Sequence, residues 1–247
     1  MTDKIAKLAE FIRESNNIVF FGGAGVSTES GVPDFRSKDG LYNQHDIRFD
    51  KYEPEYLLSH DCLVNEPEVF FEFSRQKLDC RDIKPNAAHI FLAELENAGK
   101  LKAIVTQNVD SLHQKAGSKN VFEIHGTMAK AYCMDCGKRF EGDCIFESSD
   151  PIPRCDCGGI IRCDVTLYGE GLPEDSVRGA VSAISDADML IIGGTSLTVY
   201  PAANYVRYFK GRHLVIINKQ HLNYPLNPDT DLEINEPIGQ VFSQIKL

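Results

Sequence analysis

The polar residues able to do chemistry in this 247-residue chain stand directly behind short apolar runs. Gly22-Gly23-Ala24-Gly25 closes Ile18–Phe21, Gln107-Asn108-Val109-Asp110 closes Lys102–Thr106, and His125-Gly126 closes Val121–Ile124. Gly193-Gly194-Thr195-Ser196 follows Met189–Ile192, and Asn218-Lys219-Gln220 ends Leu214–Asn218. Gly23 and Gly25 let a backbone turn approach a pyrophosphate, with the following N–H groups and Ser27 as donors. An ordinary dinucleotide fingerprint would continue into a third glycine and a long helix. Here Thr28 takes the glycine position, and Pro33-Asp34-Phe35-Arg36 follows almost at once.

The amides of Gln107 and Asn108 and the carboxylate of Asp110 suit ribose hydroxyls and a carboxamide; a helix N-cap by Asn108 or Asp110 is the alternative use. His125, at a strand end, is the candidate general base. Cys133 and Cys136 are followed after 18 residues by Cys155 and Cys157. Thiolate pairs with glycine after the second member mark a closed, structural zinc ribbon. The one-residue gap inside the second pair leaves Cys144 or Cys163 as substitute ligands.

Several elements must position these groups. An amphipathic helix begins the chain, with Ile5, Leu8, Ala9 and Ile12 on one face. Helices are predicted over Pro85–Ala98 and from Glu174 to about Ser185, alternating with the apolar runs, and a helical pattern lies near Val69–Leu78. Alternation of this kind indicates an α/β fold with a doubly wound parallel sheet, a Rossmann-like arrangement. Parallel strands would bring all five polar motifs to one crevice at their carboxyl ends. Two insertions interrupt the pattern and are expected to build a smaller domain. The division expected is 1–35, 85–126 and 165–247 for the Rossmann-like domain. Residues 36–84 form a cofactor loop and helical insertion, and 127–164 a zinc-ribbon module.

The composition, 43% hydrophobic and 25% charged, is that of an ordinary globular protein. A net charge of −10 argues against direct nucleic-acid binding. No apolar run is long enough for a bilayer, so no membrane partner is expected and the expected compartment is cytoplasmic.

GAGVSTESGVPDFRS, TQNVDSLHQKAGS, IHGT, the paired cysteines, CGGIIRCDVTLYGE and GGTSLTVYPAA occur in the order found in sirtuins, the NAD-dependent protein-lysine deacylases. The resemblance covers about residues 5–245 and is closest to the compact bacterial class. It implies NAD as co-substrate and one structural zinc on Cys133, Cys136, Cys155 and Cys157. By the same resemblance, Ala24, Thr28, Phe35, Arg36, Gln107, Val109 and Asp110 face the nicotinamide ribose. Thr195, Ser196, Asn218 and Lys219 face the adenosine, and Ile238 the adenine. An acyl-lysine peptide would add as a strand between Val165–Glu170 (Val165, Leu167, Tyr168, Gly169, Glu170) and Ser196–Pro201 (Leu197, Val199). His125 is the implied base, and Asn108 would orient ribose and water. Sirtuins that prefer succinyl or malonyl lysine resemble one another in a Tyr-x-x-Arg pair. Here Tyr42 is followed by His45, and Arg48 is out of that spacing, so uncharged acyl groups are expected. Gly22, Val109, Cys163 and the shortened second cysteine pair depart from the family's usual residues. Mono-ADP-ribosyl transfer and a non-enzymatic NAD-sensing module are the competing functions.

Overall fold

A computed structural model describes residues 2–246. Helix α1 (Thr2–Glu14) leads into β1 (Ile18–Gly22). After a stretch of short turns come α2 (His60–Asn65) and α3 (Pro67–Lys77), then α4 (Ala87–Asn97), β2 (Leu101–Thr106), the short α5 (Leu112–Lys115) and β3 (Val121–Glu123). The cysteine-bearing stretch supplies β4 (Gly126–Cys133), β5 (Arg139–Glu141), α6 (Asp143–Glu147) and β6 (Ile161–Val165). The chain closes with α7 (Glu174–Asp186), β7 (Met189–Gly193), β8 (His213–Ile217), β9 (Leu232–Ile234) and α8 (Ile238–Phe242).

Six strands form a parallel sheet in the order β3-β2-β1-β7-β8-β9. Every residue of β1, β7 and β8 is buried, as a parallel sheet covered on both faces requires. Successive side chains alternate between two cores. Phe20, Ile191 and Val215 pack with α1, α4 and α8, while Val19, Phe21, Leu190, Ile192 and Ile216 pack with α7 and the Ala202–Tyr208 turn.

Helix α4 begins at Ala87, two residues later than the sequence suggests. Asn86 caps it, accepting from Ala88 N at 2.8 Å, while His89 Nδ1 accepts from Asn86 N at 3.2 Å. The smaller sheet, antiparallel β5-β4-β6, shares a third core with the helical insertion. Cys62, Leu63, Phe70 and Phe71 pack there with Met128, Ala131, Ile145 and Leu167. Insertion and ribbon are therefore one packed body beside the large sheet.

Candidate active site

Strand order reverses between β1 and β7, and the two turns after these strands meet there. Gly23 N donates to Gly193 O at 3.2 Å and Gly25 N to Gly194 O at 2.8 Å. A Cβ on Gly25 would lie 2.8 Å from the Gly194 Cα, so Gly25 is required first by the approach of these two turns. Gln107 joins the third strand end, with its N–H to Gly22 O at 3.0 Å and its Nε2 to Thr195 Oγ1 at 3.1 Å. The fourth arrives through His125, whose Nδ1 is 3.0 Å from Gln107 O. Gly194 N reaches Ile217 O at 3.1 Å, which puts Asn218 at the same rim. The strand ends thus form one crevice.

Beneath it lies a buried polar network. Ser27 Oγ donates to Asp110 Oδ2 at 2.6 Å and accepts from Asn108 Nδ2 at 3.0 Å. Ser27 is 1% exposed, so its hydroxyl serves Asp110, not a pyrophosphate as the sequence suggests. The other Asp110 oxygen accepts from Leu112 N at 2.9 Å, but the N-cap position of α5 is Ser111, so Asp110 is not the cap the sequence allows. His89 Nδ1 already accepts a backbone N–H, so its proton is on Nε2, 3.5 Å from Ser27 Oγ. Behind it the His113 ring lies 4.8 Å away, tilted by 59°, with neither ring nitrogen hydrogen-bonded among the described residues. Burial pushes His89 down to about 4 and His113 to about 3; both rings are neutral at neutral pH.

His125 is held differently. A carbonyl can only accept, so Nδ1 carries the proton and Nε2 keeps its lone pair. Burial lowers its pKa, partly opposed by the Gln107 carbonyl. The result is a neutral imidazole of fixed tautomer, suited to taking a proton at Nε2. Its own backbone oxygen accepts from Thr166 N at 2.8 Å, tying the base to the segment after β6.

That segment is braced from behind. Tyr168 N donates to Leu58 O and His60 N to Tyr168 O, both at 3.0 Å. Leu167 is 5% exposed. Arg162, fully buried, binds both Glu170 oxygens and donates to the carbonyls of Val165 and Cys163. Glu170 also accepts from Leu167 N at 2.9 Å and pairs with His60 at 3.0 Å. Burial raises the Glu170 pKa and these donors outweigh it, leaving the carboxyl below its usual range.

Of the remaining candidates, Thr28 Oγ1 turns back to Gly25 O at 3.0 Å, and Ser196 pairs with Thr198 at 2.7 Å. Asn218 Nδ2 is bonded to Gln220 O at 3.0 Å. Lys219, Gly169 and Val199 make no side-chain hydrogen bond or ion pair among the described residues. Leu197 sits at φ 54°, and Val109 O accepts from Met128 N. Ile238 is 2% exposed beneath Gly193, while Phe35 stands 5.5 Å from the Tyr42 ring.

Sγ atoms of Cys133, Cys136, Cys155 and Cys157 all lie within 4.8 Å of one another, with 3.5 Å between Cys133 and Cys157. A tetrahedral zinc with bonds of about 2.3 Å needs sulfurs about 3.8 Å apart, so this donor set fits that metal. The shortened pair reaches the cluster because Gly158 turns at φ 93° and Gly159 leaves room that a Cβ, 2.6 Å from Cys133 Sγ, would fill. Cys163 instead faces Met128 O at 3.9 Å, and Cys144 is likewise outside the cluster.

Residues 23–201 match the Sir2 family, and a protein of Clostridium acetobutylicum called NAD-dependent protein deacetylase is 54% identical over 99% of both chains. The chain belongs to the Sir2 family. A solved Sir2 structure with a deacetylated p53 peptide and 3′-O-acetyl ADP-ribose is 35% identical, with a TM-score of 0.85 over 98% of this chain and 96% of that one. Another, bound to a propionylated peptide, is 34% identical, with a TM-score of 0.82 over 98% and 96%.

In this Sir2 chain the residues that sequence reading missed are His89 and Arg162. His89 was hidden because a histidine inside an amphipathic helix looks like core. Arg162 had a signal: a lone charge inside Ile160-Ile161-Arg162-Cys163 must find a partner if the run is buried.

Proposed function

We propose that the chain removes acetyl and other uncharged acyl groups from protein lysines, giving lysine, nicotinamide and O-acyl-ADP-ribose. The observation that carries the reading is His125: a neutral base of fixed tautomer, joined by Gln107 to the crevice and by Thr166 to the extended segment. Bound NAD supplies the electrophilic ribose carbon and the nicotinamide leaving group. His125 Nε2 takes the proton from a ribose hydroxyl, in the general-base role. Asn108, with its amide nitrogen fixed on Ser27, orients ribose and water. Asp110, held by Ser27 and the Leu112 N–H, takes the carboxamide. Phe35 and Arg36 cover the reacting centre against water. The remaining cofactor contacts fall to Gly23, Ala24, Gly25, Thr28, Gln107, Val109, Thr195, Ser196, Asn218, Lys219 and Ile238.

The peptide adds beside Val165, Leu167, Tyr168, Gly169 and Glu170, opposite Leu197 and Val199, through backbone hydrogen bonds. Arg48 is committed to Asp46 at 2.7 Å and Glu72 at 3.2 Å, which supports a preference for uncharged acyl groups. Four thiolates around zinc leave it no open position, so its role is structural. The same reading keeps the division into 1–35, 85–126 and 165–247, 36–84, and 127–164, with a cytoplasmic site of action and neither nucleic acid nor membrane as partner. No helix among the described residues is long and apolar enough to cross a membrane.

Two assays run side by side test the reading. Nicotinamide release should depend on an acetyl-lysine peptide, and label from NAD should not remain on protein. Peptide-independent release with label on protein would favour ADP-ribosyl transfer instead.

A further inference from the structure

Residues 34–43 fold largely upon themselves. Asp34 Oδ1 accepts from Ser37 N at 2.8 Å, Leu41 N donates to Asp34 O at 2.7 Å, and Asn43 Nδ2 to Ser37 O at 2.6 Å. Among the described residues, the hydrogen bonds by which 34–43 reach any part of the chain beyond Gln44 end on a single atom, the Tyr168 hydroxyl. Arg36 Nη2 donates to it at 3.2 Å, and Tyr42 Oη lies 3.1 Å from it. Only a loose pair of Arg36 with Glu55 at 4.0 Å adds to them. The Arg36 guanidinium also covers the Tyr42 ring at 5.4 Å. Burial and the Tyr168 hydroxyl hold the Tyr42 phenol above the usual tyrosine range, so it stays protonated.

Tyr168 itself stands on fixed ground, since its backbone is bonded on both sides to Leu58 and His60. A phenol carried on this fixed backbone is thus the polar anchor of a loop that carries Phe35 and Arg36. We propose that the Tyr168 hydroxyl is a positioning group for the cofactor, setting Phe35 and Arg36 over the crevice through Arg36 and Tyr42. The peptide, in contrast, makes no use of the Tyr168 hydroxyl. The inference rests on the NAD and peptide sites described above.

The consequence is a split between substrates. Tyr168→Phe keeps the ring and removes the anchor, so KM for NAD should rise about two- to tenfold, as expected for the net worth of such hydrogen bonds. KM for an acetyl-lysine peptide should stay within about twofold. Tyr42→Phe removes one of the two ties and should have a smaller effect of the same kind. Because both changes act on one cluster, the double variant should match Tyr168→Phe alone. An unchanged KM for NAD, an equal rise in peptide KM, or effects of the two variants that multiply would each overturn the proposal. Calorimetric titration of NAD without peptide reads the same loss of affinity directly. It keeps failure of the anchor distinct from failure of the deacylase reading, since it requires no turnover.

Discussion

The Nδ1 of His125 lies 3.0 Å from the carbonyl oxygen of Gln107, and that one contact decides which nitrogen of the ring can act as a base. Burial lowers the His125 pKa below its ordinary 6.5. Activity requires the neutral ring, so kcat/KM should be flat through neutrality and fall only as pH drops through this lowered value. The profile should therefore retain more than half its plateau at pH 6.5. An acid limb centred at pH 7 or above would contradict the assigned environment. His125→Ala should cut turnover by about 10²–10⁴-fold while leaving NAD binding and the melting temperature nearly unchanged.

His89 and His113 carry a different consequence. Their folded pKa values lie near 4 and 3, below the ordinary 6.5. Between these values the unfolded chain binds protons that the folded chain refuses. Stability is then complete above pH 6.5 and declines as pH falls toward 4, by about 1.4 kcal/mol per pH unit for each ring. Thermal melts from pH 8 to 5 should show the decline. His113→Phe should make the slope shallower by about one proton, and an unchanged slope would remove His113 from the account.

How much of this was legible in the sequence depended on distance along the chain. The strands and their polar ends were readable because each motif directly follows an apolar run, and the sheet is parallel throughout. The division of labour beneath the crevice was not. Ser27 looked like a phosphate donor because local pattern cannot reveal that Asp110, distant in sequence, collects its hydroxyl. Strands β5 and β9 are three residues each, too short for alternation to register. The tie between Tyr42 and Tyr168 spans two insertions and leaves no periodic trace.

The zinc site should behave as part of the fold. One zinc per chain is expected by elemental analysis, and Cys133→Ser should lose it together with the order of β4, β5 and β6, because metal binding and folding are linked here. Retention of zinc after Cys133 and Cys155 are both replaced would overturn the ligand set.

Arg162 and Glu170 brace the peptide segment from within, so disrupting them should weaken peptide use before NAD use. Arg162→Met leaves the Glu170 carboxylate without its main partner and should destabilise by about 3 kcal/mol. Glu170→Gln keeps one acceptor oxygen but turns an amide NH2 toward the Arg162 guanidinium, so it should also lower stability, and in the folded fraction it should raise KM for the peptide while KM for NAD holds. A selective rise in KM for NAD would place the pair in the cofactor site instead.

The account as a whole stands on the products. Purified protein, NAD and an acetyl-lysine peptide, followed by mass spectrometry, should give deacetylated peptide, nicotinamide and O-acetyl-ADP-ribose in equal amounts, and a matched succinyl-lysine peptide should react far more slowly. Free acetate with NAD intact, or ADP-ribose attached to protein with the acetyl group still in place, would contradict it.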